Sequence, residues 1–311
     1  MFKMVVGHSE DPDTSEALLE ILNQCQEQLD GEQPQAGILL AALEFDYQEL
    51  LDGILALYPN LILVGCTTAG EVSSVMGYQQ DSVLLTLFCS DEVQFQAGVA
   101  RNLSENPASK TQATYHSLCE AADFTPKLCL LFPEATKSVY FSVVEAMASV
   151  ADQLPVIGGV AGGKPQTDST YQFFGNEVFS DSAPMLLLGG NLKVSHAYAS
   201  GWHPFGKTGQ ITKSHGNAIY EIDHQPPAEF YQHYFKTFSP STAYPLAIYP
   251  PGEENSLLRA AIELDPVQGH LYMGGYIPEN STARITTSEH EHIIQAAKTS
   301  VINALKNYPG E

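Results

Sequence analysis

The chain has 311 residues, 44% of them hydrophobic, which is enough for two domains that each bury a core. Its 36 acidic and 14 basic residues give a net charge of −22, and this charge argues against nucleic acid or an anionic membrane surface as a partner. Five cysteines without C-x-x-C spacing argue against a zinc knuckle and favour a reducing cytoplasm, and no apolar run approaches the ~20 residues of a membrane span.

The first part of the chain alternates predicted strands and helices. A strand comes first, and a helix that Asp13 can cap follows it. A strand over 37–43 and a helix over 47–57 come next. The strand after them, over 61–64, is a short apolar run that ends in a series of small residues.

These small residues and the acid behind them form the first glycine turn, residues 65–71. The segment 65–70 contains no bulky side chain, so a small ligand can approach its backbone closely, and a carboxylate follows at the rim. The turn predicts donors and acceptors that converge on such a ligand. Its candidate ligand-binding residues are Cys66, Thr67, Thr68 and Glu71.

A second glycine turn, residues 158–163, lies downstream after a strand and a helix in the same order. It again lacks bulky side chains, and Gly158 stands where Gly65 stands in the first turn. Gly158 and Gly159 are therefore further ligand-binding candidates. The segment resembles the phosphate-binding pattern G-x-x-x-x-G-K, but Pro165 replaces the hydroxyl residue that would hold magnesium, which argues against a nucleotide site.

The two turns predict an internal duplication and a fold class. We expect an α/β (α+β) fold in which duplicated strand-helix-strand-strand-strand units, about 36–100 and 127–200, form mixed sheets packed with helices. Strands over 93–99 and 192–199 are expected to close the two copies. A smaller C-terminal α/β domain with turns rich in proline and glycine follows.

The last predicted element is a helix near the C-terminus. Ser288 and Glu291 have the spacing of a capping box at its start. Ile294, Ala297, Val301 and Leu305 recur at helical spacing and predict a buried face.

Several motifs in a fixed order resemble the FIST sensory domain family. They are Val64-Gly-Cys-Thr-Thr-Ala-Gly-Glu71, Ile157-Gly-Gly-Val-Ala-Gly162, Gly201-Trp-His-Pro-Phe-Gly206, the segment 211–223 and Pro227-Ala228. The resemblance covers nearly the whole chain and implies a FIST N-terminal domain over 1–205 and a FIST C-terminal domain over 206–311. The strand with a Cys-x-x-Arg-like motif that usually follows the last helix in this family does not occur, so the C-terminal domain is expected to be incomplete.

The resemblance implies a function in signal transduction. We expect a domain that binds a small polar metabolite, in particular an amino-acid-like one, and that signals by a shift between its two domains. In bacteria, such domains occur with histidine kinases, cyclases or chemoreceptors, which are the expected partners. On this hypothesis the chain is not an enzyme and carries no metal or cofactor.

The residues leave two alternatives open. The first is a haem-binding nitric oxide sensor, with His203 as the axial ligand because its neighbour Trp202 offers an aromatic wall to a flat macrocycle. The second is a cysteine-dependent hydrolase with Cys66 as the nucleophile, which requires a histidine within hydrogen-bond reach. Tyr220 and Arg284 complete the ligand-binding candidates, since a guanidinium can give a carboxylate ligand two parallel hydrogen bonds.

Overall fold

The computed structural model describes residues 2–163, 169–236, 239–241 and 243–310. Contacts within the chain divide it into two units, unit 1 (Met1–Val194) and unit 2 (Ser195–Glu311). Both units combine helices with β-sheets, which confirms the predicted α/β (α+β) class. The two large sheets of unit 1 are mixed, whereas the described strand pairs of unit 2 are antiparallel. In the described part of the chain, every helix is too short or too polar to cross a membrane.

The first half of unit 1 contains six strands and two helices. They are β1 (Phe2–Ser9), α1 (Thr14–Leu29), β2 (Ala36–Ala41), α2 (Tyr47–Leu57), β3 (Ile62–Thr67), β4 (Glu71–Ser73), β5 (Gly77–Gln79) and β6 (Val83–Ser90). Helix α1 begins where the Asp13 carboxylate accepts hydrogen bonds from the backbone N–H groups of Ser15 and Glu16. Its buried face includes Ile21 and Cys25, four residues apart.

The second half of unit 1 has the same order of elements. They are β7 (Val93–Arg101), α3 (Pro107–Ala121), β8 (Pro126–Leu131), α4 (Lys137–Val150), β9 (Val156–Gly158), β10 (Gln172–Phe174), β11 (Glu177–Phe179) and β12 (Ser182–Gly190). The predicted strand over 93–99 exists, but it pairs with β12 and therefore opens the second half instead of closing the first. The strand predicted over 192–199 is wrong, because β7 and β8 already occupy both sides of β12.

Two sheets of unit 1 have matching strand orders. The first has the order β1-β6-β2-β3-β10-β11, and the second has the order β7-β12-β8-β9. The pairs β2–β3 and β8–β9 are parallel, and the other matching pairs are antiparallel. The hairpin β10–β11 of the second half extends the first sheet by pairing with β3. An origin of the halves by duplication stays a prediction.

Three clusters of apolar side chains form the core of unit 1. One joins α1 and α2 to the first sheet and includes Leu39 and Phe173. A second joins α3 and α4 to the second sheet and includes Met147. The third contains residues of both sheets, among them Val64 and Leu186, so the two sheets pack face to face. The ends of β3 and β8 are thereby held between packed layers.

Unit 2 contains a seven-stranded sheet and two helices in its described part. They are β13 (His203–His215), β14 (Ala218–Ile222), α5 (Pro227–Gln232), β15 (Leu246–Tyr249), β16 (Leu257–Arg259), β17 (Ala261–Leu264), β18 (Leu271–Met273), β19 (Thr282–Thr287) and α6 (His290–Lys306). The strand order is β16-β15-β19-β13-β14-β18-β17. Helix α5 packs on this sheet through Tyr231, which is fully buried.

The last helix, α6, differs from its prediction. Its N-cap is Glu289 without a side-chain hydrogen bond, and the Ser288 hydroxyl donates instead to the carbonyl of Gly201 at 2.5 Å. The predicted capping box is therefore wrong. The predicted buried face is wrong as well, since Val301 is 60% and Leu305 70% exposed. Helical spacing shows which side of a helix is apolar, but it does not show that another element covers that side.

Candidate functional site

The two glycine turns pack against each other in unit 1. The backbone N–H of Gly162 donates a hydrogen bond to the carbonyl of Thr67 at 2.7 Å. A Cβ atom at Gly162 would lie 2.8 Å from the backbone nitrogen of Ala69, so glycine is required at this contact. Gly65 is restricted in the same way, because a Cβ atom there would overlap the carbonyl oxygen of Leu39. The small residues thus permit close backbone packing.

A chain of buried hydrogen bonds lies at the first glycine turn. The hydroxyl groups of Thr68 and Ser82 donate to the two carboxylate oxygens of Glu71, which is only 2% exposed and so does not lie at the rim. His8 extends the chain: its Nε2 donates to Ser82 Oγ at 2.9 Å, and its Nδ1 accepts from Ser73 Oγ at 2.7 Å. We assign this tautomer because the Ser82 hydroxyl hydrogen is already directed at Glu71.

Burial shifts the pKa values of both titratable groups in this chain. Desolvation raises the pKa of the Glu71 carboxyl, the nearby charge of Asp81 raises it further, and two hydroxyl hydrogen bonds act in the opposite direction. Desolvation lowers the pKa of the His8 imidazole, against the charge of Glu10, which raises it. Both shifts favour the uncharged form of the group.

Cys66 and Thr67 are engaged inside the fold. Cys66 is 3% exposed, and burial raises the pKa of its thiol to about 12, so the thiolate that a nucleophile needs is scarce at neutral pH. The Thr67 hydroxyl oxygen accepts a hydrogen bond from the backbone N–H of Tyr171 at 3.0 Å. Thr67 therefore fixes the segment that leads into β10.

A polar pocket of about 410 Å³ lies next to this contact, since Tyr171 also lines the pocket. We call it the Glu134 pocket. Two carboxyl side chains contribute to its wall, together with hydroxyl groups from several segments of unit 1. The lining residues include Glu134, Asp181, Ser104, Thr136, Thr170 and Tyr171.

Glu134 differs from the other residues of this pocket because one of its carboxylate oxygens has no partner in the described part of the chain. It lies just beyond the end of β8 and is 6% exposed. Its Oε2 accepts the backbone N–H of Thr136 at 2.9 Å. Its Oε1 is buried without a hydrogen-bond partner among the residues that the structure describes. A buried unpartnered acceptor costs about 1–3 kcal/mol, so this position favours a ligand that donates a hydrogen bond.

Glu134 and Asp181 are absent from the candidates that the sequence yielded, because neither belongs to a recognisable motif. One signal was available in the sequence, since ligands of open α/β sheets bind beyond the carboxyl ends of parallel strands and Glu134 follows such a strand. The conformation of Asp181 is visible only in the structure, where it is left-handed (φ 59°), as is that of Asp81 at the matching position of the first half (φ 54°).

Gly158 and Gly159 border a second hollow of about 360 Å³ between α4 and β9. A Cβ atom at Gly158 would overlap the carbonyl oxygen of Leu131, whereas a Cβ atom at Gly159 would meet open space. The wall is mainly apolar, and Asp152 is its charged member. We call this space the β9 hollow. Lys164 and Pro165, which belong to the phosphate-binding pattern, lie outside the described residues.

Two family profiles together match most of the chain. The FIST N domain matches residues 35–225, and the FIST C domain matches residues 227–310. The chain belongs to the FIST family. FIST domains are sensory domains of signal transduction, so the predicted resemblance is confirmed. The profiles divide the chain after residue 225 and the contacts divide it after Val194, and the predicted boundary lies between these positions.

Individual proteins that are similar to this FIST chain share low sequence identity with it. The uncharacterized protein MJ1623 of Methanocaldococcus jannaschii is 28% identical over 211 residues, which are 65% of this chain and 40% of that protein. The chain thus spans less than half the length of this curated relative. A cyanuric acid hydrolase from A. caulinodans has a TM-score of 0.35 at 8% identity, over 61% of this chain and 72% of that one. Another cyanuric acid hydrolase structure has a TM-score of 0.34 at 10% identity, over 93% and 100%. Structural likeness this slight supports no functional conclusion.

Two of the four candidate residues in unit 2 of the FIST chain lie around α6. Trp202 lines a hollow of about 530 Å³ together with Arg259. His203 is exposed, and its ring meets the edge of the His292 ring at 4.5 Å. Among the described residues, no group of three His, Cys, Asp or Glu side chains is placed to hold a metal ion. The haem alternative stays a hypothesis that a Soret band on purification would support.

The other two candidates in unit 2 have different neighbours. The Tyr220 ring packs edge-on against His270 at 4.8 Å. Arg284, in β19, donates from Nη2 to the carbonyl of Gly206 at 3.2 Å. Both side chains are half-buried. Their role in ligand binding stays a prediction.

Proposed function

We propose that this FIST chain is a sensory module whose Glu134 pocket binds a small metabolite with an ammonium group. The observation that carries the proposal is the buried Oε1 of Glu134 in the pocket wall, which has no hydrogen-bond partner among the described residues. An ammonium group supplies the missing donor and a compensating positive charge. The volume of about 410 Å³ lies in the usual range for small-molecule sites.

The second carboxylate of the pocket supports the same ligand class. The Asp181 oxygens accept the backbone N–H and the hydroxyl of Ser104, both at 2.7 Å. These bonds hold Asp181 in place while its charge adds to the negative potential of the pocket. A cation is therefore favoured over an anion at this end.

The start of α4 supports a carboxylate next to the ammonium group of the ligand, because its N-cap lies beside Glu134. Thr136 is the N-cap of this helix, makes no side-chain capping bond and lines the pocket. A helix N-terminus carries partial positive charge and favours an anion. An amino acid in its zwitterionic form combines both features, which narrows the proposed ligand to the amino-acid-like class.

Thermal-shift and calorimetric titrations with single L-amino acids test the proposal. Methylamine, which carries only the ammonium group, and acetate, which carries only the carboxylate, serve as comparison ligands. We expect at least one amino acid to raise the melting temperature, methylamine to bind weakly and acetate to have no effect. Glu134→Gln should abolish the shift, since a neutral amide cannot pair with the ammonium. Glu120→Gln, the same change at an exposed position of α3, should leave the shift intact.

Two results would overturn the placement or the ligand class. An amino acid that stabilises wild type and Glu134→Gln equally binds elsewhere. An absence of any shift across the amine-bearing panel rules out the ammonium ligand. Signalling by a shift between the two domains, and a histidine kinase, cyclase or chemoreceptor as partner, stay predictions. The buried Cys66 thiol weighs against the hydrolase alternative.

A further inference from the structure

In the first half of unit 1, another strand fills the space between the edge of β3 and helix α2, which we call the first crevice. β10 pairs antiparallel with β3 and places Phe173 opposite Gly65, with Gln172 opposite Cys66. Phe173 is fully buried, and its ring lies 5.2 Å from the ring of Tyr47 in α2. An antiparallel hairpin with one apolar anchor therefore fills the space between β3 and α2.

The matching crevice of the second half is open. β9 pairs with β8 and is an edge strand within the described ranges. Gly158 approaches the Leu131 carbonyl as Gly65 approaches the Leu39 carbonyl, so the two strand ends have the same backbone geometry. The β9 hollow lies where Phe173 lies in the first half, between the strand end and the following helix layer. We call the free edge of β9 together with the β9 hollow the socket. Within the described residues, no hairpin occupies it.

Apolar side chains are exposed along this socket. Ile157 in β9 is 41% exposed, and Val144 in α4 is 52% exposed. An open strand edge with exposed apolar side chains is a template for pairing with another strand.

The hairpin β4–β5 is the counterpart of β10–β11 in the order of elements. Its first residue, Glu71, corresponds to Gln172, and Val72 corresponds to Phe173. Within the described ranges, β4 and β5 pair only with each other. Val72 is 74% exposed, so the hairpin presents an apolar side chain where its counterpart has a buried anchor. The β4–β5 hairpin thus adds to no larger sheet within the described residues, unlike β10–β11.

The two backbone segments that would meet carry no charged side chain, although Asp152 lies in the wall of the β9 hollow. Residues 72–80 and residues 153–163 contain no Asp, Glu, Lys, Arg or His. The whole chain has a net charge of −22, so two copies repel each other over most of their surfaces and can approach best where charge is absent. Depletion of charged residues is also typical of the centre of protein interfaces.

We propose that the β4–β5 hairpin of one copy pairs with the β9 edge of a second copy of this chain. In the register of β10 on β3, Val72 lies opposite Gly158 and enters the β9 hollow, and Ser73 lies opposite Ile157. Backbone hydrogen bonds of the added strand and the buried Val72 side chain hold the contact together. Because the contact joins two different surfaces, it builds a closed ring or an open chain.

Sedimentation velocity and light scattering across a concentration series test the proposal. We expect wild type to associate in a concentration-dependent way. Val72→Asp removes the hairpin anchor, and Ile157→Asp removes the socket edge, so each variant alone should be monomeric. Both positions are exposed, and circular dichroism checks that the fold is kept. Val267→Asp, the same change at a site that is 89% exposed in unit 2, should associate like wild type.

Mixing the two variants gives the sharpest result. Val72→Asp keeps its socket and Ile157→Asp keeps its hairpin, so an equal mixture should form a heterodimer and nothing larger. A monomeric wild type at all concentrations would refute the proposal. Association that Ile157→Asp abolishes and Val72→Asp preserves would also refute it, because another segment would then occupy the edge.

Disulfide trapping tests the register. Ser73→Cys in one copy and Ile157→Cys in another should cross-link readily on oxidation, since directly opposed residues place their Cβ atoms within disulfide range. Tyr78→Cys is the control, because Tyr78 is more accessible than Ser73 (60% exposed) but lies on β5, one strand further from β9. Equal cross-linking of Ser73→Cys and Tyr78→Cys with Ile157→Cys would overturn the proposed register.

Discussion

The two halves of unit 1 place different chemistry at the same structural position. In the first half, Glu71 at the start of β4 accepts a hydrogen bond from Ser82. In the second half, Gln172 at the start of β10 accepts from the hydroxyl and the backbone N–H of Ser182, at 3.0 and 3.3 Å. All four residues are buried. An amide is therefore sufficient to hold this backbone arrangement, and the fold alone does not require a buried acid.

The halves also differ in how their crevices are filled. Phe173 closes the first crevice, while the β9 hollow leaves the second one open. The four matching strands of the two sheets are thus followed by a paired hairpin in the first sheet and, within the described residues, by an open edge in the second. The two halves therefore differ in their buried polar groups and in the space that they leave for a partner, although their matching strands are arranged alike.

Phe173→Ala should have the largest effect, because it gives the first half the open crevice of the second. We expect a loss of about 3–5 kcal/mol in the free energy of unfolding, as for other large-to-small changes in a core. Urea denaturation measures it. Val156→Ala on the exposed edge of β9 is the matched change in the second half and should cost less than about 1 kcal/mol. Similar losses in both variants would contradict the comparison.

Gly65→Ala should cost about 1–3 kcal/mol, because the added methyl group overlaps the Leu39 carbonyl and the strands must move apart. Gly159→Ala places its methyl group in open space and should be nearly neutral. Thermal unfolding of both variants, side by side, separates close packing from a general preference for glycine in these turns. A neutral Gly65→Ala would show that the strand spacing is not fixed by this contact.

Glu71→Gln should make the first half resemble the second and stabilise the protein at neutral pH by on the order of 1 kcal/mol. The folded pKa of Glu71 is raised, so its proton favours folding in acid and this contribution is lost as the pH rises through the folded pKa. The advantage of the variant should therefore disappear below the ordinary carboxyl pKa of 4.5. Melting temperatures at pH 7 and pH 4 measure it, and an advantage that grows in acid would contradict the buried-acid interpretation.

His8→Gln should have the smallest effect at pH 7, below about 1 kcal/mol, because an amide can keep both serine contacts. The folded pKa of His8 is lowered, so its contribution is present above 6.5 and is lost as the pH falls through the folded pKa. The variant should lose less stability than wild type between neutral pH and mild acid. Parallel pH titrations of the melting temperature decide this, and identical curves would show that His8 does not titrate within the fold.

Much of the fold was readable from the sequence because apolar periodicity and turn chemistry are local. Helix α2 has the predicted bounds, and the matching glycine turns indicated the likeness of the halves. The segment 192–199 and the outer face of α6 were predicted wrongly, because strand pairing and burial depend on neighbours that a local pattern does not show.

The candidate site was only partly accessible to sequence reasoning. Thr68 and Glu71 were singled out, and they are hydrogen-bonded to each other. The unpartnered oxygen of Glu134 has no local signal, since it depends on three-dimensional neighbours from distant segments. Orphaned polar atoms become visible only when every buried partner is known.

Four of the five cysteines are buried, which leaves one thiol for labelling with a spectroscopic probe. Burial raises the pKa of the Cys25, Cys66 and Cys129 thiols to about 12, and Cys89 is 3% exposed, so a maleimide dye should react slowly with these four. Cys119 in α3 is half-buried and is the remaining thiol. A fluorophore should therefore attach at one native position, which provides a single-site reporter for ligand titrations without removal of any cysteine.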